Sequence, residues 1–201
     1  MAVTKTKIRL PLRLVLLTGL MAGNLALAEP LNSPPQLPQP DTELVNLLKE
    51  SLEGADSFVD IYDAQVWLMA KSQPLERFID DEQQRYELLK KIHREATKAG
   101  LQPEIVLAVI EIESGFDRFA ISRVGARGMM QIMPFWKKEL GRPNDNLMLT
   151  DTNLRYGCTI LKYYLDKEDG NVPDALARYN GSYGTYKYSE KVLKVWDKHW
   201  R

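Results

Sequence analysis

The chain is poor in the residues that usually anchor covalent or metal-supported chemistry. One cysteine, Cys158, occurs among 201 residues, so no disulfide can form within the chain. Cys158 falls in a helical pattern among apolar neighbours, the setting of a buried structural thiol rather than a nucleophile. The two histidines, His93 and His199, sit on charged helical stretches. No His, Cys, Asp or Glu cluster has metal-ligand spacing, so neither a metal nor another cofactor is expected. Neither sign of charge dominates, with 27 basic residues against 27 acidic ones. That balance depends on residues 1–28, which hold Lys5, Lys7, Arg9 and Arg13 and no acid. Without them 23 basic residues face 27 acids, a net of −4, and a mildly acidic body is a poor match for nucleic acid. No apolar run reaches the roughly 20 residues of a comfortable membrane span. No segment sustains strand alternation, and no repeat shows at a period of roughly 20–50 residues. With 44% apolar residues there is still ample material for a core, and the expected fold class is all-α.

What is present begins with an export pattern. A basic segment ends at Arg13, an apolar run follows from Leu14 to Leu27, and Ala26-Leu27-Ala28 supplies small-x-small spacing before Glu29. Residues 1–28 therefore match a cleavable secretory signal, with a retained anchor as the rival reading. Residues 29–40, EPLNSPPQLPQP, form a Pro-rich tether. Helical spacing follows from Asp41, an N-cap, through Leu44, Leu47, Leu48 and Leu52. After an interruption at Gly54 it continues through Phe58, Ile61, Tyr62, Val66, Met69 and Ala70 until Pro74 stops it. A further helix spans 81–99, with Tyr86, Leu89 and Ile92 as its apolar stripe and Gly100 as its C-cap. Its other face (Glu82, Arg85, Glu87, Lys90, Lys91, Arg94) reads as solvated surface. Residues 41–100 thus form an N-terminal helical extension before a domain at 101–201.

The chemistry concentrates in Pro103 to Gln131. Pro103 suits a helix start and Gly115 its end. Positions three, four and seven apart share a helix face. Glu113 shares its face with the apolar Val106, Val109 and Ile110, whereas Glu111 lies with Glu104, Leu107 and Ala108. The two glutamates are about 200° apart and form no carboxylate pair. A carboxylate on an apolar stripe is poorly solvated, and in the last turn it faces the negative end of the helix dipole. Both effects favour its protonated form, as a general acid requires. On helix geometry alone, an ordinary surface glutamate fits as well.

Several ordered motifs go further. Glu113-Ser114-Gly115-Phe116 is followed by Ser122, nine residues after the glutamate. Then come Gly125-Ala126-Arg127-Gly128-Met129-Met130-Gln131 and Pro134. Asn153-Leu154, Gly157, Leu161 and Tyr164-Leu165 follow, and then Ala177-Arg178-Tyr179-Asn180-Gly181. This run, over residues 102–196, resembles the soluble lytic transglycosylases, the goose-type-lysozyme-like family. The chain departs from the family pattern at Asp117-Arg118, Met129, Leu161-Lys162, Gly181 and Ser182. The last of these stands where the family has glycine. These departures bear on substrate preference more than on the chemistry.

The resemblance implies a lysozyme-like helical catalytic domain at 101–201. It implies peptidoglycan as substrate, cut at the β-1,4 bond between N-acetylmuramic acid and N-acetylglucosamine. Glu113 would act first as acid and then as base, with a 1,6-anhydro-muramyl end as product. Ser122 would hydrogen-bond the N-acetyl region. Tyr179 would hold Glu113 or the acetamido group through its hydroxyl, and Asn180 would fix the local turn. Gly125 and Gly128 would let the backbone approach the sugar, while Gln131 and the Met130 backbone would line saccharide sites. The implied setting is a periplasmic monomer acting on glycan strands, without nucleic-acid partner, metal, cofactor or membrane span once the signal is removed. Two alternatives stand beside it. One is a hydrolase of the same fold, which needs a positioned aspartate that cannot be assigned, since Asp117 falls past the helix end. The other is a wall-binding protein without turnover. Beyond the motifs, a helix is expected from Phe135 to Gly141 and another over 152–167 capped by Asp151. A helix begun by Pro173 carries Tyr179, a loop is crowded by Tyr183, Tyr186 and Tyr188, and a closing helix spans 189–200.

Overall fold

The computed structural model describes residues 57–58, 60–139 and 142–201. Its helices are α1 (Ile61–Leu75), α2 (Glu82–Ala99), α3 (Pro103–Ser114), the short α4 (Trp136–Glu139), α5 (Thr150–Lys167), α6 (Val172–Asn180) and α7 (Lys187–Val195). A wider π-helical turn, Trp196–Trp200, follows α7. Among the described residues the only β pairing is two isolated bridges, Ile121 with Arg127 and Arg127 with Ile132, so the fold is all-α. The proposed signal (1–28), the tether (29–40), the Asp41 cap and the Leu44–Leu52 stripe lie outside the described residues.

The fold is organised by α3. Ile105, Val106, Leu107, Ala108, Val109 and Ile110 are all buried, which requires neighbours on every side. α2, α7 and the final turn supply them. Full burial of a large aliphatic side chain stabilises by roughly 1.5–3 kcal/mol, so this run dominates the core. Pro103 opens the helix and Gly115, left-handed at φ 58°, closes it, as the spacing predicts. α5 packs on α2, and α6 packs between α5 and α7. Cys158 of α5 is buried, and burial pushes its thiol well above the ordinary range, in keeping with a structural role.

Several helix expectations are corrected by packing. α1 begins at Asp60, whose carboxylate accepts the N–H groups of Tyr62 and Asp63. It runs through Pro74 to Leu75; the proline forfeits only the one hydrogen bond its N–H would make to the carbonyl four residues earlier, in the last turn of the helix. Its core face is Ala64, Leu68, Ser72 and Leu75, whereas Ile61, Tyr62, Val66 and Met69 are exposed. The charged face of α2 is also not wholly solvated. Arg85 and Lys90 are buried, and the Arg85 guanidinium donates to Ser72 Oγ (2.9 Å) and to the carbonyls of Ile79 (2.9 Å) and Asp80 (2.8 Å). A buried guanidinium satisfied in this way closes the α1–α2 turn. His93 lies not on a solvated face but stacked on Phe58, at 3.5 Å between centroids, with Trp67 edge-on. Its burial there lowers its basicity.

Asp151 does not cap α5. The helix starts one residue earlier, at Thr150, and the Asp151 carboxylate instead accepts from Lys91 (2.7 Å) and Arg94 (2.8 Å) of α2. Of the helix expected over Phe135–Gly141, Trp136–Glu139 is helical and Phe135 lies outside it; residues 140–141 fall outside the described residues. The closing helix starts earlier than expected, at Lys187, and widens at Trp196. Glu111 explains that widening in part. It accepts the Trp200 indole N–H (2.8 Å) and lies 3.0 Å from His199 Nδ1, which ties the final turn onto α3.

Candidate active site

Glu113 occupies the last turn of α3, and the segment after it folds back beneath it. The Ser114 hydroxyl donates to the Met129 carbonyl (2.8 Å), which ties the helix end to the loop. Within the loop Arg127 and Ile132 exchange both backbone hydrogen bonds, and Ser122 N–H reaches the Ala126 carbonyl (3.0 Å). The Ser122 hydroxyl accepts the Ala126 N–H (3.0 Å). Gln131 adopts a left-handed backbone, φ 50°, uncommon for a residue with a side chain. Its amide offsets that strain by donating to the Gly128 (2.8 Å) and Ala120 (3.3 Å) carbonyls.

A buried asparagine locks this loop to α5. Asn153 Oδ1 accepts the Met130 N–H (2.8 Å), and its Nδ2 donates to the Arg127 and Leu147 carbonyls, both at 2.9 Å. This seam corrects the roles expected of Gly128 and Met130. A Cβ on Gly128 would fall 2.7 Å from the Leu147 carbonyl oxygen and 2.4 Å from Asn153 Nδ2. Gly128 therefore serves close packing against Leu147 and against Asn153 of α5. The Met130 side chain is fully buried and fills the space beside Gly157, where a Cβ would meet its sulfur at 2.2 Å. Its carbonyl is occupied by the Tyr179 hydroxyl. Neither residue lines the cavities beside Glu113.

Two hollows meet at Glu113. One, of about 250 Å3, is lined by Glu113, Ser122, Gln131, Tyr179 and Asn180, together with Trp136 and Ile160. The other, of about 400 Å3, is lined by Ile112, Glu113, Asn180, Ser182, Thr185, Lys187, Tyr188 and Lys191. Five of the eight expected site residues are thus brought together, and Gly125, like Gly128 and Met130, is not among the lining residues. Among the described residues Glu113 is the single carboxylate lining either hollow, and Asp117 opens onto a different one with Phe116 and Met129. Among the described residues no three His, Cys, Asp or Glu side chains gather as a metal site.

The two tyrosines near Glu113 have different tasks from those expected. The Tyr179 hydroxyl donates to the Met130 carbonyl (2.7 Å) and not to Glu113. The Glu113 carboxylate is held instead by Tyr188, whose hydroxyl donates to Oε1 at 2.6 Å. Burial raises the Glu113 carboxyl above its ordinary range, and the Tyr188 hydrogen bond pulls partly the other way. Both phenols are pushed well above the usual tyrosine range by burial first and by the Glu113 charge next, so both remain neutral donors. Tyr188→Phe removes the donor that favours the carboxylate. The expected result is a further rise in the Glu113 pKa, seen as an upward shift of the alkaline limb of kcat/KM against pH. A fall in maximal rate of about tenfold is expected beside it, from the lost anchor. An unmoved alkaline limb would show that Tyr188 only packs.

Sequence reasoning did not single out Tyr188 or Trp136. In the sequence Tyr188 is one of three tyrosines within six residues. Only the packing of α7 on α3 separates it from Tyr183 and Tyr186, both exposed. Trp136 carried one usable signal, an aromatic just after the Pro134 that completes the loop motif.

Comparison with known proteins addresses the chain's family. A family model described as Transglycosylase SLT domain matches residues 90–195. A transglycosylase of Enterobacteria phage PRD1 is 36% identical over 101 residues, which is 47% of this chain and 37% of that protein. A membrane-bound lytic murein transglycosylase C of Actinobacillus pleuropneumoniae serotype 5b (strain L20) is 35% identical over 43 residues, which is 21% of this chain and 12% of that protein. The match therefore spans little more than a third of the phage protein and about an eighth of the other. Among solved structures, an inactive mutant of the lytic transglycosylase Slt from Pseudomonas aeruginosa aligns with a TM-score of 0.44 at 22% identity, over 72% of this chain and 30% of that one.

Proposed function

The chain belongs to the Transglycosylase SLT domain family, and from that premise we propose that it is a peptidoglycan lytic transglycosylase with Glu113 as its one acid and base. The observation that carries the mechanism is that, among the described residues, a half-buried Glu113 is the only carboxylate lining either hollow at the site. Most glycosidases place two carboxylates about the scissile bond, one of them to activate water or attack the sugar. A site with one needs its second function from the substrate.

The steps balance without water. Glu113, whose protonated form burial favours, gives its proton to the glycosidic oxygen as the bond to the muramyl C1 breaks. The muramyl N-acetyl oxygen supports the positive C1. Glu113, now a carboxylate steadied by the Tyr188 hydroxyl, takes the proton of the C6 hydroxyl, whose oxygen closes on C1. The products are an N-acetylglucosamine end and a 1,6-anhydro-N-acetylmuramyl end, with Glu113 protonated again. Ser122, Gln131 and Asn180 line the hollow beside Glu113 and are suited to bind the acetamido and hydroxyl groups. Trp136, on the same wall, offers an aromatic face to a sugar ring.

On this reading residues 1–28 export the chain to the periplasm, 29–40 tether it and 101–201 carry the chemistry. The helices at 61–99 buttress that domain through contacts such as Trp67 Nε1 to Glu104 (2.6 Å). The test is mass spectrometry of soluble products from purified peptidoglycan. Muropeptides with 1,6-anhydro ends are expected. Products ending in reducing sugars would replace this reading with hydrolysis, and no release would leave a binding protein.

A further inference from the structure

The ribbon that walls the first hollow has a second face, which the cleavage chemistry does not use. Residues 120–122 pair with 126–128. Ser122 N–H donates to the Ala126 carbonyl (3.0 Å), Gly128 N–H to the Ala120 carbonyl (2.9 Å), and Ile121 bridges Arg127. Gly125 N–H donates to the Ser122 carbonyl (3.0 Å), which puts Arg123 and Val124 at the centre of the tip turn. Side chains alternate along such a ribbon. Ser122 and Ala126 line the hollow with Glu113, while their neighbours Ile121 and Arg127 are exposed. Val124 is 75% exposed, Ile121 66% and Phe119 60%. Three arginines stand among these apolar side chains. The Arg118 guanidinium lies 4.3 Å from the Phe119 ring centroid. Arg118, Arg123 and Arg127 form no ion pair among the described residues. Positive charge is concentrated here. Residues 117–142 hold six basic residues and two acids, whereas the remainder of 29–201 holds 17 basic residues against 25 acidic ones.

We propose that the tip of this ribbon docks on an anionic lipid surface, with Phe119, Ile121 and Val124 entering the headgroup boundary and Arg118, Arg123 and Arg127 on lipid phosphates. Exposed apolar side chains rimmed by charge mark interaction surfaces, and their interleaving selects the partner. Charge is depleted at the core of a protein–protein interface, yet here arginines stand between the apolar groups. Sugar recognition takes flat aromatic faces and hydrogen-bonding groups, which the aliphatic side chains of Ile121 and Val124 do not offer. A bilayer boundary accepts both kinds of group. Apolar side chains sink roughly 5–10 Å into it while cations stay with the headgroups, and anionic lipid attracts each cation. The same surface repels the acidic remainder of the body, so the charge asymmetry turns the domain ribbon-first. Asn153 holds the ribbon in place through the Arg127 carbonyl and the Met130 N–H. Because Val124 also lines the hollow with Glu113, a docked ribbon keeps that hollow beside the membrane. On the transglycosylase reading above, the consequence is action on glycan lying close to the bilayer.

The test is co-sedimentation with lipid vesicles at low salt, which needs no turnover. It uses the chain from residue 29 onward, the form left by export on the reading above. Vesicles in which about a third of the phosphatidylcholine is replaced by phosphatidylglycerol should bind it about tenfold more tightly than phosphatidylcholine alone, and raised salt should weaken that binding. Arg118→Gln with Arg123→Gln is expected to weaken it about 25-fold, a cation near an anionic leaflet being worth about fivefold. Phe119→Ser with Ile121→Ser should weaken it about tenfold through lost apolar insertion. All four side chains are exposed, so the melting temperatures of both double variants should match the parent's. Lys167→Gln, an exposed charge loss at the end of α5, should leave vesicle binding unchanged. Equal affinity of the parent for the two kinds of vesicle would overturn the proposal. So would unaltered vesicle binding in either double variant, or an equal loss in Lys167→Gln. Double variants that keep vesicle binding but lose affinity for peptide-free glycan fragments would return this face of the ribbon to the substrate site. The transglycosylase reading is judged apart, by the products of the unmodified protein.

Discussion

Glu113→Gln is expected to lower release of soluble muropeptides by about 10³-fold or more, with the helices unchanged. General acid–base catalysis contributes roughly 10²–10⁴-fold, and in the proposed mechanism one group serves both proton transfers. The same substitution should stabilise the fold near neutral pH. Burial raises the Glu113 carboxyl above its ordinary value, so the folded chain holds this proton more tightly than the unfolded chain. Below the unfolded carboxyl range, about pH 4.3, both states are protonated and the residue carries no penalty. As pH rises through the raised folded value the penalty reaches its full size. Melting temperatures of the parent and Glu113→Gln should therefore agree at acid pH, with the variant higher at pH 7. Glu111→Gln is the contrast. It weakens the contacts to Trp200 and His199, so it should lower the melting temperature while kcat stays within a few-fold. Full activity in Glu113→Gln, or equal loss in both variants, would remove Glu113 from the chemistry.

Asn153→Ala is expected to cost about 3–5 kcal/mol in denaturant unfolding. The estimate follows from what it leaves behind, since stranding a buried donor or acceptor costs roughly 1–3 kcal/mol. The Met130 N–H and the Arg127 and Leu147 carbonyls would all lose this partner, in a site where Asn153 is 1% exposed. The folded fraction should also lose activity, because the same bonds hold the loop that presents Gln131 beside Glu113. A loss below about 1 kcal/mol would show that the loop relaxes to satisfy those groups elsewhere, contrary to the tight seam at Gly128 and Gly157.

Within the helices, legibility followed how local the cause was. The bounds of α3 came from Pro103 and Gly115, and the end of α2 from Gly100, because caps act through the backbone of their own turn. The core side of α1 was misread since Tyr62, Val66 and Met69 keep helical spacing as well as Ala64 and Leu68 do. Which stripe turns inward depends on α2 and the final turn, far away in sequence. Asp151 looked like a cap by position, yet Lys91 and Arg94 compete for it from another helix. Arg85 was assigned to solvent because charge usually is, whereas three acceptors at the α1–α2 turn make its burial tolerable.

For the site, the sequence by itself determined where Glu113 stands. Helix periodicity places Glu113 on the apolar stripe of α3 and separates it from Glu111. Those are consequences of local geometry that no distant contact can undo. The motif spacing likewise marked Ser122, Gln131, Tyr179 and Asn180, which the fold brings to one hollow. The tertiary structure decided which groups touch that acid and which merely support it. Tyr188 holds the carboxylate while Tyr179 holds the Met130 carbonyl, and Gly128 and Met130 belong to the seam with α5. A phenol reaches its partner across 75 residues of chain only when α7 has docked on α3, and no local pattern encodes that docking.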